Sequence, residues 1–233
     1  MIPWQDSMKP LLRNQILLAL GLALFGLATA GCRSLSPSEF VIGPSYKPAN
    51  VFLADTNLPP NVRRVVVLPM TTEAELPRAE AAILSLRPVL REELARVKRF
   101  ETVWATPEQV RQLTGRMVWA AEEKLPESLF KAVRDEFGCD AVMFCRLTCY
   151  RPYPPLAVGW RCQLVDCHGA ATLWAVDEVF DAREPSVTNA ARRYQQFDHS
   201  TPAVLADSRS ILESPSRFGH YALSSALSTL PGR

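Results

Sequence analysis

Six cysteines offer the first candidate chemistry in this 233-residue chain. Five of them, Cys139, Cys145, Cys149, Cys162 and Cys167, crowd into one stretch. Side chains alternate between the faces of a strand, so Cys145 and Cys149 are expected to point one way. Cys162, on a neighbouring strand, can reach the same face. These three form a possible disulfide set, since an exported protein is allowed disulfides. A zinc site is the sharper reading, but the C-x3-C and C-x4-C spacings lie inside strands and lack the tight turn of a metal knuckle. No metal is therefore expected. Buried free thiols are the leading expectation, because unpaired cysteine is among the most buried residue types. An odd number also leaves at least one thiol unpaired within the chain.

Other reactive residues are sparse. Of the three histidines, His168 sits in a turn, and His199 and His220 lie in a polar tail. Asp198-His199-Ser200 spells a triad in letters, but three adjacent residues cannot converge on one point, and triads assemble from distant segments. The acid pairs Glu92/Glu93, Glu122/Glu123 and Asp177/Glu178 are chain neighbours. Each pair faces two directions and reads as a solvated face. Trp104, Trp119, Trp160 and Trp174 are candidates for a sugar-binding groove, although tryptophans in strands are usually core. The chain contains no G-x-S-x-G, H-E-x-x-H, G-x-x-x-x-G-K or G-x-G-x-x-G motif. No catalytic residue and no cofactor is expected.

The whole-chain charge of +2 is near neutral, with basic residues scattered. Nucleic-acid binding needs clustered lysine and arginine, so it is not expected. The apolar excess gathers near the start, where Ile16–Ala30 carries no charge. Lys9 and Arg13 precede that run, and small residues close it. A basic start, a short apolar stretch and a small-residue exit describe a secretory signal. A permanent span needs about 20 apolar residues, so this run is slightly short for one. Met8-Lys9-Pro10-Leu11-Leu12-Arg13 is a more ordinary opening than the residues before it, and initiation at Met8 is expected.

The stretch Leu27-Ala28-Thr29-Ala30-Gly31-Cys32 resembles the lipobox of bacterial lipoproteins, in which cleavage falls just before an acylated cysteine. Ala30 and Gly31 fit closely, whereas Thr29 stands where leucine is commonest. The resemblance implies cleavage between Gly31 and Cys32, lipid on Cys32, and attachment of the mature chain to a membrane. An uncleaved anchor, or a plain signal with a coincidental cysteine, is the competing reading. In a diderm host an aspartate after the lipidated cysteine usually marks inner-membrane retention. Arg33 occupies that position, which implies the outer membrane, facing the periplasm.

Three regions follow: a removable signal over 1–31, a lipidated cysteine and Pro/Ser-rich tether over 32–60, and one domain over 61–233. Proline-rich segments are semi-rigid spacers. Phe40, Val41, Ile42, Val51, Phe52 and Leu53 are too apolar for a free linker, so part of the tether is expected to lie along the domain.

Val62–Leu68 is a short β-branched run ended by Pro69 and reads as a buried strand. Ile83, Leu86, Leu90, Leu94 and Val97 form one stripe at helical spacing over 78–98, with Pro88 inside it as a kink or a new start. Phe100–Trp104 reads as a strand. Thr106-Pro107-Glu108-Gln109 starts a helix, with a threonine cap, a proline in the first turn and a glutamine that completes a capping box. Another helix over 126–137 stops at Gly138. Strands are expected over 140–150, 158–166 and 172–181, and helices over 186–197 and 215–227. The fold class is α/β, with α+β as the variant: a single mixed sheet of about five strands covered by helices.

Val65–Met70, Phe100–Gln109, Phe137–Phe144 and Leu164–Trp174, in that order behind a lipobox, resemble a group of small envelope lipoproteins. Their fold is like the N-terminal domain of the Tol translocation protein, and the group includes penicillin-binding-protein activators and the curli-secretion lipoprotein. The likeness spans about residues 62–182. It implies a non-catalytic periplasmic domain that binds an envelope protein partner, with no catalytic residues to carry over. A component of an envelope secretion or assembly complex is the second reading and an envelope hydrolase the third. A bilayer-crossing pore needs long hairpins of alternating polarity, and two clear ones are not found.

Overall fold

The computed structural model describes residues 41, 43–197 and 209–233. The leader, Cys32, tether residues 33–40 and 42, and the Asp198-His199-Ser200 triplet lie outside them. The described chain builds one open seven-stranded sheet and five α-helices. The strands are β1 (Val51–Leu53), β2 (Arg64–Val67), β3 (Thr71–Thr72), β4 (Glu101–Trp104), β5 (Ala141–Arg151), β6 (Ala157–Asp166) and β7 (Thr172–Asp181). The helices are α1 (Ala79–Val97), α2 (Pro107–Thr114), α3 (Glu127–Phe137), α4 (Pro185–Phe197) and α5 (Pro215–Leu227), with a short 3-10 turn at Ser210–Leu212.

The sheet runs in the order β1-β7-β6-β5-β2-β4, and β3 adds to β5 beyond the end of β2. β2 is parallel to β4 and β5, whereas β5, β6 and β7 form an antiparallel meander. The sheet is thus mixed, as expected, with two more strands than about five. The additions are β1 and β3, three and two residues long, too short to show a period.

β2 shows why the core has two halves. Val65 and Val67 face one layer, while Val66 and Leu68 face the other. A central strand buried on both sides reads as a continuous apolar run. On the first side α1, α4 and α5 cover Met143, Cys145, Leu147, Trp160, Cys162, Leu164, Trp174, Val176 and Phe180. On the second, α2 and α3 cover Val142, Phe144 and Val165 through Val110, Leu129, Phe130 and Val133. Pro88 lies within a continuous α1 and starts no new helix.

Local signals operate as their chemistry dictates. The N–H of Gln109 donates to Thr106 Oγ1 at 3.2 Å, and the N–H of Thr106 donates to Gln109 Oε1 at 2.9 Å. Gly138 takes φ 57° and stops α3, and its N–H donates to the carbonyl of Arg134. Between β6 and β7, the Asp166 carboxylate accepts the N–H groups of His168 and Gly169 and closes the turn.

One departure changes the phase of a strand. Opposite β6, the register of β5 slips between Leu147 and Cys149, leaving Thr148 as a bulge. Cys149 then pairs with Gly159, and Tyr150 pairs with Val158 on the first face. Gly159 is required there, because a Cβ would lie 2.8 Å from the backbone nitrogen of Cys149 and against the Thr148 hydroxyl.

The segment before residue 60 is not a free spacer throughout. Arg193 donates through Nε and Nη2 to the Val41 carbonyl at 3.2 and 3.1 Å, and also to the Gly43 carbonyl. Farther on, the Tyr46 hydroxyl donates to Glu178 Oε2 at 2.5 Å, and the N–H groups of Ala49 and Asn50 donate to Glu178 Oε1. The chain then enters the sheet as β1, antiparallel to β7. Val51–Leu53 thus belongs to the sheet, ahead of the expected domain start at residue 61.

Candidate functional site

The cysteines divide between the two faces. Cys145 and Cys162 are opposite one another on β5 and β6, buried under the helices of the first face. Cys149 is not with them. The bulge at Thr148 turns it to the other side, which corrects the expectation that Cys145, Cys149 and Cys162 share a face. All five thiols are free. Cys145 is pushed well up by its hydrogen bond with Cys162 and by full burial. Cys139 and Cys167, absent from the expected set, approach to 3.6 Å between sulfurs in the second core.

The histidines and acids meet as structure rather than as a catalytic set. His168 lies in the β6–β7 turn with Nδ1 3.5 Å from Asp166. His220 of α5 places Nδ1 2.7 Å from Glu93 and Nε2 3.5 Å from Glu92, both on α1. Glu93 is 3% exposed and also takes Arg96 at 2.7 Å. It is a buried helix–helix tie, not the solvated face expected for it. A pocket of about 180 Å³ beside it is lined by Arg96, Arg99 and Ser224, smaller than the roughly 300–1,000 Å³ of ligand sites. Among the described residues, no group of three histidine, cysteine or acidic side chains is placed to hold a metal ion.

The tryptophans form no groove. Trp160 and Trp174 are wholly buried in the first core, and Trp119 is buried in the second. Trp104 is half-buried with the Arg91 guanidinium 4.8 Å from its ring centroid.

The densest polar arrangement lies on the second face beyond Phe144. Arg146 of β5 and Arg161 of β6 stand opposite one another. Glu73 bridges them at 2.8 and 3.1 Å, and Glu122 bridges them at 3.3 and 2.9 Å. Asp177 of β7 closes on Arg161 Nε at 2.7 Å. Burial raises the Glu122 carboxyl, but its own backbone N–H and the two guanidiniums outweigh this and hold it below the usual range. Three carboxylates answer two guanidiniums, so the cluster carries no net positive charge for an anion. The network positions Glu73 and the Glu122 loop against the sheet. Nothing in the sequence flags it, because its members come from five separate segments.

Exposed apolar side chains are scattered. Phe52 and Leu53 lie on edge strand β1, Val179 on β7, Tyr153 at the β5–β6 connection and Phe197 at the end of α4. None of these forms a catalytic constellation.

No family model and no curated protein matches the chain. Solved structures with some likeness do exist. A PelC dodecamer from Paraburkholderia phytofirmans aligns at 14% identity over 81% of this chain and 95% of that one, with TM-score 0.42. Lipoprotein GNA1162 from Neisseria meningitidis aligns at 18% identity over 51% and 79%, with TM-score 0.39. The LpoB C-terminal domain from Escherichia coli aligns at 17% identity over 51% and 82%, with TM-score 0.31. At these values the function has to be argued from the residues themselves.

Proposed function

We propose that the chain is a lipid-anchored protein of the bacterial cell envelope whose folded domain is a non-catalytic module for docking an envelope protein. The observation that carries this reading is the distance from the lipobox to the fold. Cys32 precedes Val41, whose carbonyl accepts from Arg193, by only nine residues. An extended chain covers at most about 3.3–3.6 Å per residue, so this stretch spans at most about 30 Å. Acyl chains on Cys32 hold the domain within that reach of the bilayer, in the outer membrane facing the periplasm in a diderm host. Each buried methylene contributes roughly 0.8 kcal/mol, so two or three chains on one cysteine anchor durably where a single one does not.

Support for docking rather than turnover comes from how the reactive side chains are engaged. His220 is tied to α1, Trp160 and Trp174 are core, and Glu73, Glu122 and Asp177 pair with arginines. Fractionation of cells producing the Cys32→Ser variant tests the anchor. The unaltered chain is expected in the membrane pellet and the variant's domain in the soluble fraction or as unprocessed precursor. Wild-type chain recovered as a soluble protein would refute the anchor. Affinity capture with the mature domain tests the docking role, and turnover of an envelope substrate without a specific partner would end it.

A further inference from the structure

We propose that Cys139 and Cys167 are a disulfide-forming pair that locks the end of α3 to the β6–β7 turn. Their sulfurs are 3.6 Å apart, and the residues are 2% and 4% exposed. The backbone already holds them together, since the N–H of Cys167 donates to the carbonyl of Asp140 at 2.9 Å. Both lie where the chain can give. Cys139 follows the Gly138 stop of α3, and Cys167 sits in a turn whose next residue, His168, is exposed. Closing from 3.6 Å to the roughly 2.05 Å of a disulfide therefore asks for side-chain rotation at two element ends. Cys145 and Cys162 also stand opposite one another at a spacing a disulfide can span, but they lie mid-strand under the helices of the first face rather than at element ends.

The two thiols of the pair differ in acidity. Cys139 is made more acidic by the hydrogen bond from Cys167, against the opposing effect of burial. Cys167 is raised by that same bond and by burial. Cys139 is the more acidic thiol of the closed pair, and either thiol can begin the exchange once it is deprotonated. The oxidant is a disulfide, either glutathione disulfide or the disulfide of a thiol oxidoreductase. Where Cys139 begins, its thiolate attacks one oxidant sulfur and expels the other as a thiolate, giving a mixed disulfide. Cys167, on losing its proton, then attacks Cys139 Sγ and expels the second oxidant sulfur. Two protons and two electrons pass from the pair to the oxidant, which leaves as two thiols. Both sulfurs are buried, so the exchange belongs to folding or to opening of the turn. In cells it rests on the export reading above, because oxidised thiols persist in oxidising compartments.

The test refolds the full chain in detergent from a reduced, denatured state into a buffer of glutathione and glutathione disulfide. Remaining thiols are then alkylated, and the unreduced digest is mapped by mass spectrometry. A Cys139–Cys167 linked peptide is expected, with two thiols fewer than in the reduced chain. Cys149→Ser leaves the link in place, and Cys139→Ser and Cys167→Ser each abolish it. Closing a loop of this length lowers the unfolding equilibrium constant of the oxidised wild type on the order of 10²-fold relative to the reduced form. That comparison needs no variant to fold. Alkylation of both Cys139 and Cys167 after refolding, or a link joining other cysteines, overturns the pairing. A pair that oxidises in the glutathione buffer but is recovered reduced from cells supports the pairing and overturns the export reading.

Discussion

The two faces of the sheet are covered differently. Under α1, α4 and α5, every inward position of β6 from Val158 to Leu164 is apolar and buried. On the other face β5 changes character along its length, from Val142 and Phe144 beneath α2 and α3 to Arg146 in an ion-pair network. The first face spends its residues on stability. The second leaves half-exposed sheet that carries the Arg146 and Arg161 ion pairs. A strand can do both because successive side chains point to opposite faces.

The comparison breaks most readily at its apolar side. Trp160→Ala in the covered core is expected to cost about 3–5 kcal/mol, measured by denaturant unfolding. A loss below about 1 kcal/mol would mean that this face is not the main core. Next is Gly159→Ala, which drives a Cβ against Thr148 and the Cys149 backbone at the bulge. Overpacking of this kind costs about 1–3 kcal/mol, and the expected spectral signature is altered amide shifts along β5 and β6. On the polar face, Glu122→Gln is expected to cost no more than about 1 kcal/mol, since half-exposed ion pairs contribute little and are screened by salt. A larger loss would place the network among the determinants of the fold.

The smallest expected effect concerns pH. Burial raises the Glu178 carboxyl, but the Tyr46 hydroxyl and the Asn50 and Ala49 N–H groups outweigh it, leaving a net depression. A carboxyl depressed in the folded state contributes stability above its ordinary range. That contribution is lost as pH falls through the depressed value. The difference in Tm between wild type and Glu178→Gln is therefore expected to shrink on acidification from neutral pH to below the ordinary glutamate range. Protection factors against hydrogen exchange at Val51–Leu53 should fall over the same window, and a difference independent of pH would separate Glu178 from the ordering of β1.

Much of the fold was legible because its signals are local. The Thr106–Gln109 capping box, the Gly138 stop, the α1 stripe and the β5–β7 meander each depend on neighbours in sequence. What stayed hidden depends on distant partners. The β1 strand exists because β7 offers an edge and Glu178 reaches back to Tyr46. The bulge at Thr148 needs Gly159 on another strand, and missing it put Cys149 on the wrong face. Cys139 and Cys167 meet only after α3 ends and the β6–β7 turn closes, so no spacing rule joins them. Glu93 reads as a surface acid until His220 arrives from α5.

Intact-mass analysis of the native protein tests the proposed anchor on Cys32 most directly. The expected mass is that of a chain beginning at Cys32 and carrying two or three acyl chains. A chain that retains residues 1–31, or one that begins at Cys32 with an unmodified thiol, would contradict it.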